Sequence, residues 1–180
     1  MPLTSALGTP AALYRKLERE AYRAYHAHSP AHKADHFFNF CVTAHSMRDF
    51  CLEHLGKTQK SDQQPYHALW NKQPILVATT EIANSSKHFV LRTPGTQALT
   101  TPSTRGVRAG RAKYIDVYRR PDGELTLVQV SKAEVRIELS DGKVVQLYKF
   151  TGEVLAYWKS YLLSVGVKPR RVSLQEHNDA

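Results

Sequence analysis

Apolar positions recur every three or four residues through the first half of the chain and every second residue in part of the second half. The pattern therefore predicts helices followed by strands. A first helix is predicted over 11–28, with Leu13, Leu17, Ala21, Ala24 and Tyr25 as its stripe and Arg15, Lys16, Glu18, Arg19 and Arg23 mostly off it. Ser29-Pro30 stops it, because proline disfavours helix in the residue before it. A second helix is predicted over 31–55, with Phe37, Phe40, Cys41, Ala44, Met47, Cys51 and Leu55 as its apolar face and Gly56 at its C-terminal end. Residues 56–64 are polar and read as a loop. Tyr66, Leu69 and Trp70 start a short helical piece. Pro74 fits the first turn of a further helix, whose buried face would be Ile75, Ala78, Ile82, Phe89 and Val90.

The period then changes. Thr, Pro and Gly dominate from Thr93 onward, which predicts a loop over 93–112. Strands are predicted at 114–118 and 125–130, joined by a turn at Pro121-Asp122-Gly123. Val135, Ile137 and Leu139 alternate with Arg136 and Glu138, the signature of a half-buried strand. Asp141-Gly142 turns the chain into a last strand over 143–150. A closing helix follows over 152–165, with Thr151 as N-cap, Gly166 as C′ residue, and Val154, Leu155, Trp158, Tyr161, Leu162 and Val165 inside. The expected fold class is α+β in one domain. An antiparallel helical bundle (11–92) and a loop (93–112) precede a three- or four-stranded antiparallel β-meander (113–150), a closing helix (151–166) and a tail (167–180).

Composition narrows the functional classes. The chain has 180 residues, 42% hydrophobic and 23% charged, enough for a real core and unlike a disordered protein. No apolar run approaches the ~20 residues of a membrane helix, and the first residues lack the basic start and apolar core of a signal peptide. A cytoplasmic protein without membrane contact is expected. Cys41 and Cys51 are ten residues apart on one predicted helix, about 15 Å along its axis, and so read as buried small hydrophobes. Lys and Arg number 25 against 16 Asp and Glu, a net charge of +9. Six cations, Arg105, Arg108, Arg111, Lys113, Arg119 and Arg120, face one acid, Asp116, within 105–120. This region is the expected contact for nucleic acid or an acidic protein.

Two polar clusters could carry chemistry. His45, Arg48 and Asp49 are neighbours on the second helix, and Glu81, Asn84, Lys87 and His88 lie at helical spacing on the fourth. Imidazole beside a cation suits phosphate chemistry, the cation stabilising developing negative charge and the imidazole moving a proton. The alternative is a hydrogen-bonded polar layer inside a bundle. If the two helices pack by their stripes, His88 should reach the Asp49 carboxylate or the His45 ring. Arg48 and His54 are separated by five residues, and Asn84-Ser-Ser-Lys-His88 resembles the end of an Arg-Asn-x-x-x-His motif. Both spacings resemble the HEPN (higher eukaryotes and prokaryotes nucleotide-binding) superfamily of helical bundles. That resemblance implies a metal-independent ribonuclease of a phage, toxin–antitoxin or defence system, dimerising to complete a composite site. It would use Arg48, His54, Asn84, Lys87 and His88, with His45 and Asp49 beside them. Ala83 stands where the motif has arginine, implying lost activity or an arginine supplied by Arg48.

His32 and His36, with His26, His28 and Asp35 nearby, have chelating i, i+4 spacing but lack an evident third ligand, and read chiefly as a polar helix start. Nucleophile-elbow and phosphate-loop motifs are missing, so no cofactor is expected.

Overall fold

The computed structural model describes residues 7–85 and 104–169. Helix α1 (Pro10–His26) starts where the Thr9 hydroxyl accepts from the Ala12 N–H at 3.1 Å. Helix α2 (Pro30–His54) starts where Ser29 accepts from the His32 N–H at 3.1 Å. The Ser-Pro pair that ends the first helical pattern thus caps the second. Gly56, at φ 66°, closes α2, with the Lys57 N–H donating to the Leu52 carbonyl at 2.8 Å and the Gly56 N–H to Glu53 at 3.0 Å. This is a Schellman end, which glycine adopts without steric cost.

The polar loop expected over 56–64 is a correction: helix α3 (Lys60–Asn71) begins inside it. Only Trp70 of this helix is buried, so its polar residues are solvated helical faces and carry no periodic apolar signal. Helix α4 (Pro74–Ser85) packs on α2. The expected continuation through Phe89 to Arg92 lies outside the described residues.

The strands also depart from expectation. Strand β1 (Thr104–Arg119) begins inside the region read as a loop over 93–112, and strand β2 (Leu125–Leu139) runs unbroken where two strands were expected. Polar Ser131-Lys132 interrupts the apolar alternation but not the ladder. Arg111 donates to the Ser131 carbonyl at 2.9 Å and Lys132 donates to Asp116 at 2.6 Å, both across the pair. Strand β3 is only Val144–Gln146, and helix α5 (Leu147–Ser164) starts five residues before Gly152. Leu147, Phe150, Val154, Trp158 and Leu162 form one continuous buried stripe. Thr151 is therefore no N-cap: its hydroxyl donates to the Leu147 carbonyl at 3.0 Å within the helix. The α+β class, with a strand meander before the last helix, stands. The sheet order is β1-β2-β3, all antiparallel.

The core lies among α1, α2, α4, α5 and the inner end of β2. Phe37, Phe40, Leu17, Met47, Leu76, Phe150, Trp158 and Trp70 are fully buried in it, joined by Val135 and Ile137 from the sheet. Lys33 is a buried cation that ties two helices together. Its ammonium donates to the Ala24 carbonyl at 2.8 Å and to that of Tyr25, closing the C-terminus of α1. No helix among the described residues is long and apolar enough to cross a membrane.

Burial gives the fold a definite response to alkali. The Cys41, Tyr14, Tyr157 and Tyr161 protons are held above their ordinary range by desolvation, and Cys51 is pushed up to about 12. These groups must stay protonated in the folded chain but ionise freely once unfolded. Their stabilising effect is complete below the unfolded values of about 8.5–10 and is lost as pH rises through the folded ones. Lys16 and Lys33, both lowered by burial, act in the opposite sense as pH approaches 10.5 but are fewer. The melting temperature should hold from about pH 7 to 8.5 and fall steadily above about pH 9. An unchanged melting temperature at about pH 11 would contradict this account of the core.

Candidate nucleic-acid interface

Strands β1 and β2 pair from Thr104↔Leu139 out to Arg119↔Leu125. At about 3.3 Å per residue this ribbon is about 50 Å long. Among the described residues only its inner end is supported, by α2 and by β3, which pairs with Arg136, Ile137 and Glu138. Farther out both faces meet solvent, so the ribbon projects as an arm. Strand pairing assigns Lys113, Ile115, Val117 and Arg119 to the same face as Leu125, Leu127, Gln129 and Ser131. On that face Ile115, Val117, Leu125 and Leu127 are 59–67% exposed. Tyr114, Asp116 and Tyr118 occupy the other face with Thr126, Val128 and Lys132.

All six cations expected to contact nucleic acid lie on this ribbon or its turn. Arg105 and Arg108 lie near Glu138 at 3.9 and 3.7 Å, and Arg120 lies 3.7 Å from Glu124. These pairs are solvent-exposed, each worth at most about 1 kcal/mol, and a phosphate can replace the carboxylate at little cost. Among the described residues Lys113 and Arg119 have no carboxylate partner. The arm from 104 to 139 carries eight Lys and Arg against five Asp and Glu, a net charge of +3.

A groove of about 620 Å³ lies at the root of the arm, between β2 and the turn joining α1 to α2. It is reached by Tyr25, His26 and His28 from the helical side, Arg111, Tyr114, Lys132 and Glu134 from the ribbon, and Tyr148 from α5. The Tyr25 and Tyr148 rings stand 5.7 Å apart at 57° and are 54% and 73% exposed. Lys33 also reaches the groove, with its ammonium 5.8 Å from the Tyr25 ring centre, although its hydrogen bonds go to the carbonyls of α1. Glu134, the acid of the groove, is turned toward Arg136 at 2.8 Å.

The residues expected to do chemistry are placed differently. Arg48 is buried, with Nη1 donating to Asn71 Oδ1 at 3.0 Å, Nη2 to the Leu76 carbonyl at 3.4 Å, and its guanidinium 5.8 Å from the Trp70 ring centre. Desolvation lowers its pKa. His45 Nδ1 lies 3.2 Å from Thr80 Oγ1. The contacts His45–Thr80 and Arg48–Leu76 run in opposite chain directions, so α2 and α4 pack antiparallel. That register sets Asp49 at the first turn of α4, at the other end of that helix from Asn84. Asp49 is exposed beside a small hollow of about 210 Å³ with Glu53 and Lys57. His54 is exposed at the end of α2, whereas Arg48 is buried. Six helical positions turn through about 240°, so the two do not share a face. Glu81 accepts from the Thr104 N–H, which fastens the start of β1 to α4, and burial raises its pKa against that hydrogen bond. Lys87 and His88, and hence the expected contact of His88 with Asp49 or His45, lie outside the described residues.

His36 approaches Glu20 at 3.5 Å, and among the described residues no group of three or more His, Cys, Asp or Glu side chains could hold a metal. Sequence reasoning missed Tyr25, Tyr148 and Lys132. Tyr25 read as part of a core stripe and Tyr148 as a strand residue; their exposure depends on where α1 ends and α5 begins. No family model matches the chain, and comparison with curated proteins and with solved structures returned no match.

Proposed function

We propose that this chain binds nucleic acid without cutting it, through the basic arm and the groove at its root. The observation that carries the reading is the arm itself: a ribbon about 50 Å long that holds six cations within 105–120 and exposes both faces over its outer half. Phosphate neutralisation by such a ribbon supplies affinity independent of sequence, and exposed aromatic rings add sequence-tolerant stacking. The ribonuclease role implied by the HEPN resemblance draws less support. Arg48 would have to leave Asn71, Leu76 and Trp70 to meet a phosphate, exposing a packed part of the core. The direct test is fluorescence anisotropy of labelled 20-mers, titrated at low salt in EDTA and then checked for length on a gel. Binding at about micromolar concentration or tighter, with the oligonucleotide intact, is expected. No anisotropy change up to about 100 μM would overturn the reading, and shortened products would restore the nuclease.

A second reading is favoured by the aliphatic stripe Ile115, Val117, Leu125 and Leu127, whose contiguous exposure resembles a protein-docking face. Among the described residues the charged side chains along that face are the cations Arg111, Lys113 and Arg119, so an acidic protein fits better than a second copy. Sedimentation velocity separates the two, since a concentration-dependent dimer would assign the stripe to self-association.

A further inference from the structure

We infer that the groove at the root of the arm takes a single-stranded segment, with unpaired bases against Tyr25 and Tyr148 and neighbouring phosphates on Arg111 and Lys132. The inference rests on the nucleic-acid reading above and names the substrate class of that site. Two observations carry it. First, the two tyrosines are more than half exposed yet adjacent, with ring centres 5.7 Å apart. Parallel rings need about 7 Å between them to admit a base, so a base covers the pair as a ledge and does not slide between. Base pairs in a duplex are stacked on one another and offer only their edges, so a ring face can meet a base only where the strand is unpaired. Second, cations border the ledge. Arg111 holds its place by donating to Ser131 at 2.9 Å and 3.1 Å, a pre-set guanidinium with further N–H groups to spare. Lys132 is 52% exposed while bound to Asp116, and can turn to a phosphate. Glu134 is the opposing charge, and Arg136 holds it.

The groove is also of the right scale. At about 620 Å³ it lies within the ~300–1,000 Å³ of small-molecule sites, room for one or two nucleotides and far too little for a duplex. The arm then tracks the strand that leaves the groove.

The test uses the full chain with oligonucleotides containing 2-aminopurine, whose fluorescence falls when it stacks. Single-stranded DNA, single-stranded RNA and the matching DNA duplex are compared. Expected are quenching on binding either single strand and a preference of about tenfold or more over the duplex. The double variant Tyr25→Ala/Tyr148→Ala should lose the quenching and weaken single-strand binding by about tenfold or more, while Tyr25→Phe/Tyr148→Phe keeps both. Both rings are exposed, so the melting temperatures of these variants should match the parent, and a variant that fails to fold is replaced by Tyr148→Ala alone. Duplex binding as tight as single-strand binding, or quenching that survives in the alanine variant, would overturn the inference and leave the arm reading standing. No binding to any of the three would overturn both.

Discussion

Replacing Trp158 by alanine is expected to destabilise the chain by about 3–5 kcal/mol, the range for emptying a large aromatic site in a closed core. Trp158 is fully buried on α5, with its ring centre 5.7 Å from Trp70 and 5.8 Å from Tyr161. Trp70 is the one residue α3 buries, so α3 is held to the body largely through this contact. Losing it removes packing from two helices at once. Against a total stability of about 5–15 kcal/mol for a domain of this kind, the loss is about a fifth or more. Urea unfolding followed by circular dichroism measures it. Trp158→Phe should cost far less, because the indole N–H has no hydrogen-bond partner among the described residues and only volume is lost. A shift below about 1 kcal/mol for the alanine variant would show that α3 and α5 are not packed in this way.

Neutralising the arm should have the largest effect on binding. Arg108, Arg111, Lys113, Arg119 and Arg120 are exposed and lie on the ribbon or its turn, so their replacement by glutamine leaves the core untouched. Each phosphate contact contributes about 0.7–0.9 to the salt slope, hence about 0.7–0.9 log units of affinity at about 0.1 M salt. Three contacts therefore suffice for a loss of about a hundredfold. A five-glutamine chain with the parent's melting temperature and the parent's affinity would place the interface elsewhere.

Elements bounded by local backbone chemistry are legible in the residues, and elements bounded by tertiary pairing are not. Ser29-Pro30 and Gly56 are of the first kind, so the limits of α2 follow from sequence. The start of α5 is of the second. Val144–Gln146 and Leu147–Phe150 are equally apolar, and only the pairing of β3 with 136–138 determines where strand gives way to helix. Likewise the paired sites Arg111–Ser131 and Lys132–Asp116 bridge a polar interruption that reads as a break in β2. The basic segment was legible as a patch of charge. That it forms an arm was not, because exposure of Ile115 and Leu127 contradicts the burial their type suggests. The polar neighbours of Arg48 were legible as a cluster, but burial commits its guanidinium to Asn71 and Leu76, a distinction spacing alone does not carry. The groove was hidden altogether, since Tyr25 and Tyr148 are 123 positions apart and meet only through the fold.

The central claim is that the arm binds nucleic acid through its phosphates, and the salt dependence of binding tests it most directly. The affinity of the full chain for a single-stranded 20-mer, measured by anisotropy between about 50 and 300 mM salt, should fall linearly on a log–log plot. A slope of about −2 to −4 is expected, corresponding to about three to five contacts at about −0.7 each. The five-glutamine chain, which keeps Arg105 and Lys132, should show a slope of about −1 or shallower and little residual binding. A slope near zero for the parent chain, or a steep slope unchanged by the five substitutions, would contradict the account.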